Sequence, residues 1–223
     1  MEVLIVSKTH MSHNACVGGL VLSNNRNVRL LNYGNYNQPT DTDFEVGDIW
    51  DLNFTNRTIL QPPHIEDVVI SSKTYLRSVD NLSNLIRERN IINWNGHINN
   101  VFDGLLQWTN SGSGYIPFDG HIPTKSVGFW VADRELVRVT FDNKTRFRYP
   151  NGNNYRNISY VGYQDTIAII PAETILRVSL SRIFPPENSE IPAPRGFYLQ
   201  LSGWYVNGQI NVGAMPPDDD LPF

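Results

Sequence analysis

Apolar segments of this 223-residue chain are short, and turn-forming residues interrupt them again and again. Residues 3–6 form the first run. Residues 16–22 and 28–31 flank the turn-rich SNNRN and read as a hairpin. Phe44, Val46, Ile49, Leu52 and Phe54 then alternate with polar residues around VGDIWDLNF, and residues 68–70 make another short run. Farther on, VGFWVA, ELVRVTF, TRFRY, ISYVGY, TIAII, ILRVSLS and FYLQLSGWYV fill residues 127–206. Runs this short, rich in β-branched and aromatic residues, have the length and period of strands with one buried face. Many short strands with frequent turns predict small β-barrels.

The middle of the chain reads differently. LRSVDNLSNLIRERN sets Leu82, Leu85 and Ile86 at helical spacing, with Ser78 or Asp80 available as a cap. Residues 90–122 are rich in Asn, Gly and Ser and read as a partly irregular connector with one short helix near residues 101–108. The predicted fold is therefore mainly β. Two small β-barrels, over residues 1–72 and 126–206, are joined by a helix-containing connector over 73–125. An extended acidic tail follows over 207–223, stiffened by Pro216 and Pro217.

Several function classes lose support at this stage. No run approaches the roughly 18 apolar residues of a membrane helix, so no membrane partner is expected. One cysteine, Cys16, permits no intramolecular disulfide, and the opening MEVLIVSKTHMSHN lacks the layout of an export signal, which together predict the cytoplasm. His10, His13 and Cys16 have an HxxHxxC spacing, but a structural zinc site wants four ligands and no second motif accompanies them. Cys16 is expected as a small buried apolar residue, and residues 8–13 as the loop after the first strand. Glu66 and Asp67 fall on alternate strand faces, a poor geometry for paired carboxylates. No phosphate-cradling or dinucleotide motif occurs. The expectation is a non-enzymatic protein without metal or cofactor.

Residues 133–163 are the most suggestive stretch. Arg134, Arg138, Lys144, Arg146, Arg148 and Arg156 stand against Asp133, Glu135 and Asp142, a net charge of +3. Phe141, Phe147, Tyr149, Tyr155, Tyr160 and Tyr163 are interleaved with them. In TRFRY the strand period puts Arg146 and Arg148 on one face and Phe147 and Tyr149 on the other, and PNGNN supplies a turn. Single-strand binding needs cations along the phosphates and aromatic faces under the bases. Alternating aromatics also fit the core of a barrel strand. The candidate nucleic-acid-binding set is Arg138, Lys144, Arg146, Arg148, Tyr149, Tyr155 and Arg156, with Tyr149, Tyr155 and Arg156 expected to be exposed beside the turn. Arg26, Arg29, Tyr33 and Tyr36 form a weaker set in the first unit.

Two stretches carry resemblances. ACVGGLVLSNNRNVRLLN and FYLQLSGWY resemble a family of bacterial proteins with two OB-folds, which implies the fold and brings no settled activity. DDDLPF resembles the acidic tip of bacterial single-stranded-DNA-binding proteins, with Asp218, Asp219 and Asp220 as its acidic block, Leu221 as its aliphatic residue, then Pro222 and Phe223. That resemblance implies docking on genome-maintenance proteins such as helicases, nucleases and primosome proteins. A partner pocket can bury the Phe223 ring and pair its carboxylate with arginine. The three aspartates also carry most of the formal net charge of −4, so the acidic total leaves room for a local basic surface. The expected function is binding of single-stranded DNA or RNA, with the tail recruiting or competing for such proteins. The alternative is an adaptor or decoy that binds proteins only, through the same tail, in phage defence or counter-defence.

Overall fold

The computed structural model describes residues 1–187 and 189–206. Strands β1 (Glu2–Met11), β2 (Asn14–Val21), β3 (Arg26–Leu31), β4 (Gln38–Pro39), β5 (Asp48–Asn56) and β6 (Asp67–Ser78) form the first sheet. β1 pairs antiparallel with both β2 and β5, and β3 pairs parallel with β6. The path β1-β2-β3-β6-β5-β1 therefore closes into a five-stranded barrel, which leaves no open edge. Val3 and Ile5, Val28 and Leu30, and Trp50 and Leu52 alternate inward to fill it. Gly18 lies opposite Ser7 in the β1–β2 pair, and a Cβ there would meet Ser7 Oγ at 2.3 Å and turn that hydroxyl out of its place.

β1 is longer than the sequence suggests. Lys8, Thr9 and His10 pair with Val17, Cys16 and Ala15, so residues 8–11 are strand rather than loop. The Lys8 ammonium is tied to Thr42 O and Glu45 of the first unit, and this end of the strand also meets the second unit. His10 N–H donates to Val161 O at 2.8 Å, and the His10 ring stacks on Tyr163 at 3.8 Å.

Helix α1 (Leu82–Glu88) follows β6. Asn81, rather than Ser78 or Asp80, caps it, its Oδ1 accepting from Asn84 N–H at 2.9 Å. Three short strands, β7 (Trp94–Gly96), β8 (Gln107–Trp108) and β9 (Gly114–Pro117), and a 3-10 segment (Ile98–Gly104) come next. All three strands join the second sheet.

That sheet is built from β10 (Val127–Ala132), β11 (Leu136–Phe141), β12 (Lys144–Asn151), β13 (Asn154–Tyr160), β14 (Ile169–Ile170), β15 (Ile175–Phe184) and β16 (Gly196–Tyr205). Its order is β14-β11-β12-β13-β16-β15-β10-β7. The parallel β13–β16 pair repeats the β3–β6 pair of the first barrel. β10 and β11 are consecutive, with β10 on β15 and β11 on β12, so one bent segment brings the two sides of the sheet together. Trp130, Phe147, Tyr149, Ile158, Leu201 and Trp204 fill its core.

A third core cluster lies in the seam between the units. Leu4, Val6, Leu20 and Ile49 meet Leu82 and Ile86 of α1 and Phe129, Val131, Ile175 and Tyr205 of the second sheet. Polar ties fix the orientation. Tyr205 Oη donates to Val6 O, and the Glu66 carboxylate accepts from Ser126 N–H at 2.7 Å and Ser126 Oγ at 2.9 Å. Arg177 is buried there, donating to Asn27 Oδ1 at 2.9 Å with its guanidinium over the Phe129 ring. Among the described residues no helix is long and apolar enough to cross a membrane.

Candidate nucleic-acid interface

β11, β12 and β13 form an antiparallel meander with two tight turns. Asp142 and Asn143 both have positive φ (49° and 53°), as a type I′ hairpin turn demands. At the other end Asn151 pairs with Asn154 around Gly152, whose φ is 60°. The predicted PNGNN turn is thus present. These turns lock the register and so decide which side chains face outward.

Phe147 and Tyr149 point into the core, while Arg146 and Arg148 face out, opposite Val139 and Val137 on one side and Ser159 and Asn157 on the other. The Arg148 guanidinium lies 5.5 Å from the centre of the half-exposed Tyr155 ring, and that of Arg146 lies 5.5 Å from the exposed Phe141 ring. Lys144 stands at the hairpin tip, opposite Phe141. Arg146, Arg148, Tyr155 and Phe141 therefore make one outward row of cations and rings.

Beside that row runs a groove of about 360 Å³, between the β13 end of the meander and the loop of residues 109–112. Arg148, Tyr155, Arg156 and Asn157 line one wall. The loop is held by Asn157 N–H donating to Gly112 O at 2.8 Å and Asn157 Nδ2 donating to Ser111 O at 2.5 Å. Gly112 has φ of 81°, and a Cβ there would fall 2.6 Å from Tyr155 O, so only glycine lets the loop come this close. Arg156 leaves β13 on the other side and lies over the Trp108 ring at 4.5 Å, yet it reaches the groove rim.

Two members of the sequence-derived set belong elsewhere. Tyr149 is fully buried rather than exposed. β12 continues to Asn151, so the strand period that buries Phe147 buries Tyr149 as well. Its Oη donates to Asp133 Oδ1 at 2.6 Å, and burial followed by that carboxylate pushes the phenol pKa up. Arg138 stands opposite Phe147, so its register puts it on the other face from Arg146 and Arg148, and its Nη1 donates to Thr166 O and Oγ1. Trp108, Phe141 and Asn157 are functional candidates that charge counting misses. Only Gly112, in NSGSG, hints that a loop must approach another strand.

Among the described residues the ion pairs within the second unit are Arg134–Asp133 and Arg195–Glu187, and Arg182 of β15 pairs across the seam with Asp67. Arg146, Arg148 and Arg156 are held instead by carbonyl, amide and ring partners, and no carboxylate among the described residues pairs with them. The first unit's Arg29 differs, pairing with Asp67 at 2.6 Å. Cys16 is half-buried rather than fully buried. The tail set Asp218, Asp219, Asp220, Leu221, Pro222 and Phe223 lies outside the described residues.

Two strand meanders, each closed by a parallel third-to-last pairing, match what OB barrels show in connection order. A protein-family model described as a dual OB-containing domain matches residues 1–204. The chain belongs to this dual-OB family. The match takes in both sheets and the connector, and stops before the acidic tail. No curated protein matches the chain. Within a dual-OB chain the position of the site is informative. OB barrels bind oligonucleotides and oligosaccharides on the face of their second and third strands. In the second barrel those strands are β12 and β13, which carry Arg146, Arg148 and Tyr155.

Proposed function

We propose that this dual-OB protein is a non-enzymatic binder of single-stranded nucleic acid, with the outer face of β12–β13 as its binding surface. The observation that carries the reading is the row Arg146–Arg148–Tyr155, turned outward beside a polar groove and free of carboxylate partners among the described residues. Arginines spaced along a strand follow successive phosphates, while Tyr155, Phe141 and Trp108 offer ring faces for bases. Such contacts tolerate sequence and are salt-sensitive. Support for the tail comes from the sequence alone: DDDLPF is the docking element, recruiting or competing for genome-maintenance proteins that read tips of this kind.

The test is anisotropy of labelled oligo-dT and oligo-U with the full chain and with a chain lacking residues 218–223. Binding that is kept or tightened by the deletion supports a strand-binding body with a separate tail. Absence of binding by both forms at low salt sinks the reading and leaves the protein-only adaptor.

A further inference from the structure

A second cationic site crosses the seam between the barrels. Asp67, at the start of β6, is almost fully buried and meets three guanidinium groups. Arg29 of β3 grips it with two bonds, Nε to Oδ1 and Nη2 to Oδ2, both 2.6 Å. Arg57, just beyond β5, donates to Oδ2 at 3.2 Å, and Arg182 of β15 reaches the same oxygen at 3.4 Å. Among the described residues none of the three pairs with another carboxylate. The neighbouring Glu66 turns away to Ser126. His64 adds no charge at neutral pH: burial, then Arg182 and Arg29, hold its pKa down at about 3.

One carboxylate satisfied by Arg29 does not need two more arginines. Among the described residues the cluster keeps two uncompensated positive charges, and Arg57 and Arg182 remain more than a third exposed, with guanidinium N–H groups that Asp67 does not use. These three arginines line a surface pocket of about 250 Å³, together with Asn35, Tyr36 and Asn37. Tyr36 is 71% exposed, and its loop is fixed by Asn32 Oδ1, which accepts from the N–H groups of Gly34 and Tyr36. A cationic floor of guanidinium forks under an exposed ring suits a phosphate that carries an aromatic base.

We propose that this seam pocket binds the phosphate group of a nucleotide, held by Arg57 and Arg182 on the Arg29–Asp67 platform, with Tyr36 stacking on the base. The cations come from both barrels, so the pocket exists only when the two are joined as they are here. The inference stands apart from the β12–β13 reading.

Calorimetric titration of the full chain with 5′-dTMP, inorganic phosphate and thymidine tests it. 5′-dTMP should bind, phosphate more weakly, and thymidine not at all. Arg57→Gln and Arg182→Gln should each weaken 5′-dTMP about tenfold, the loss of one charge-assisted contact. Both keep Arg29 on Asp67, and an unchanged melting temperature verifies the fold. Tyr36→Ser should weaken 5′-dTMP and leave phosphate unaffected. Arg146→Gln/Arg148→Gln should leave 5′-dTMP binding unchanged, which separates this pocket from the meander. Displacement of 5′-dTMP by 5′-phosphorylated oligo-dT, and not by the unphosphorylated strand, assigns the phosphate to a strand end; displacement by neither assigns it to free nucleotide. Failure of both 5′-dTMP and phosphate to bind, or 5′-dTMP affinity indifferent to both arginine substitutions, overturns the proposal.

Discussion

The seam and the meander use arginine in opposite ways. In the seam, Arg29, Arg57 and Arg182 converge on the buried carboxylate of Asp67, and the cluster is a point charge with an internal anchor. On the meander, Arg146 and Arg148 stand along β12 with ring, carbonyl and amide partners and, among the described residues, no carboxylate anchor. Seam and strand thus yield two electrostatic shapes. A buried counterion concentrates donors at one spot. A strand with outward side chains lays them out in a line, which is what a polymer of phosphates requires.

Removing the anchor should give the largest effect. Asp67→Ala leaves three arginines crowded together without their counterion, and urea unfolding should show a loss of about 3–5 kcal/mol. An equivalent loss on mutating Arg146 or Arg148 would erase the contrast, because nothing buried depends on them. The seam should also be the acid-sensitive region. His64 Nε2 donates to Ser181 O at 3.1 Å, and its pKa is about 3 in the fold against about 6.5 in the unfolded chain. The unfolded chain therefore takes up a proton first. Stability is full above about pH 6.5 and falls as pH drops toward 3, by at most about 1.4 kcal/mol per pH unit. His64→Gln, which can still donate to Ser181 O, should flatten that slope in urea titrations at several pH values.

On the meander the two tyrosines sharpen the comparison between surface and core. Tyr155→Ala should cost about 1–3 kcal/mol of oligo-dT affinity with little change in melting temperature, since the ring is half-exposed. Tyr149→Phe should do the reverse. It removes the bond to Asp133, lowers stability by about 1 kcal/mol in urea unfolding and leaves strand binding intact.

The same two residues show how far the sequence carries. Local rules identify the β12–β13 hairpin, because PNGNN with Gly152 satisfies turn geometry on its own; the Asp142–Asn143 turn is missed, with Asp142 counted only as a charge. They also give the outward direction of Arg146 and Arg148 from the strand period. That period, followed to the end of β12, already buries Tyr149; proximity to the turn argued wrongly for exposure. What stays hidden is anything assembled across the chain. Trp108 and Gly112 reach β13 from a stretch that composition marks as connector. Arg182 meets Asp67 across 115 residues, and no spacing rule links them. Residues 8–11 look like a loop because Lys8, Thr9 and His10 are polar, and their backbone contacts with the second unit at Val161 and Tyr163 cannot be read from spacing.

The most direct test of the account is the salt dependence of oligo-dT binding, measured by anisotropy for the full chain and for Arg146→Gln/Arg148→Gln. If the two arginines each neutralise a strand phosphate, the double substitution should lower the magnitude of the slope of log K against log salt by about 1.4. An affinity and slope that match the unsubstituted chain would contradict the claim that the β12–β13 face binds the strand.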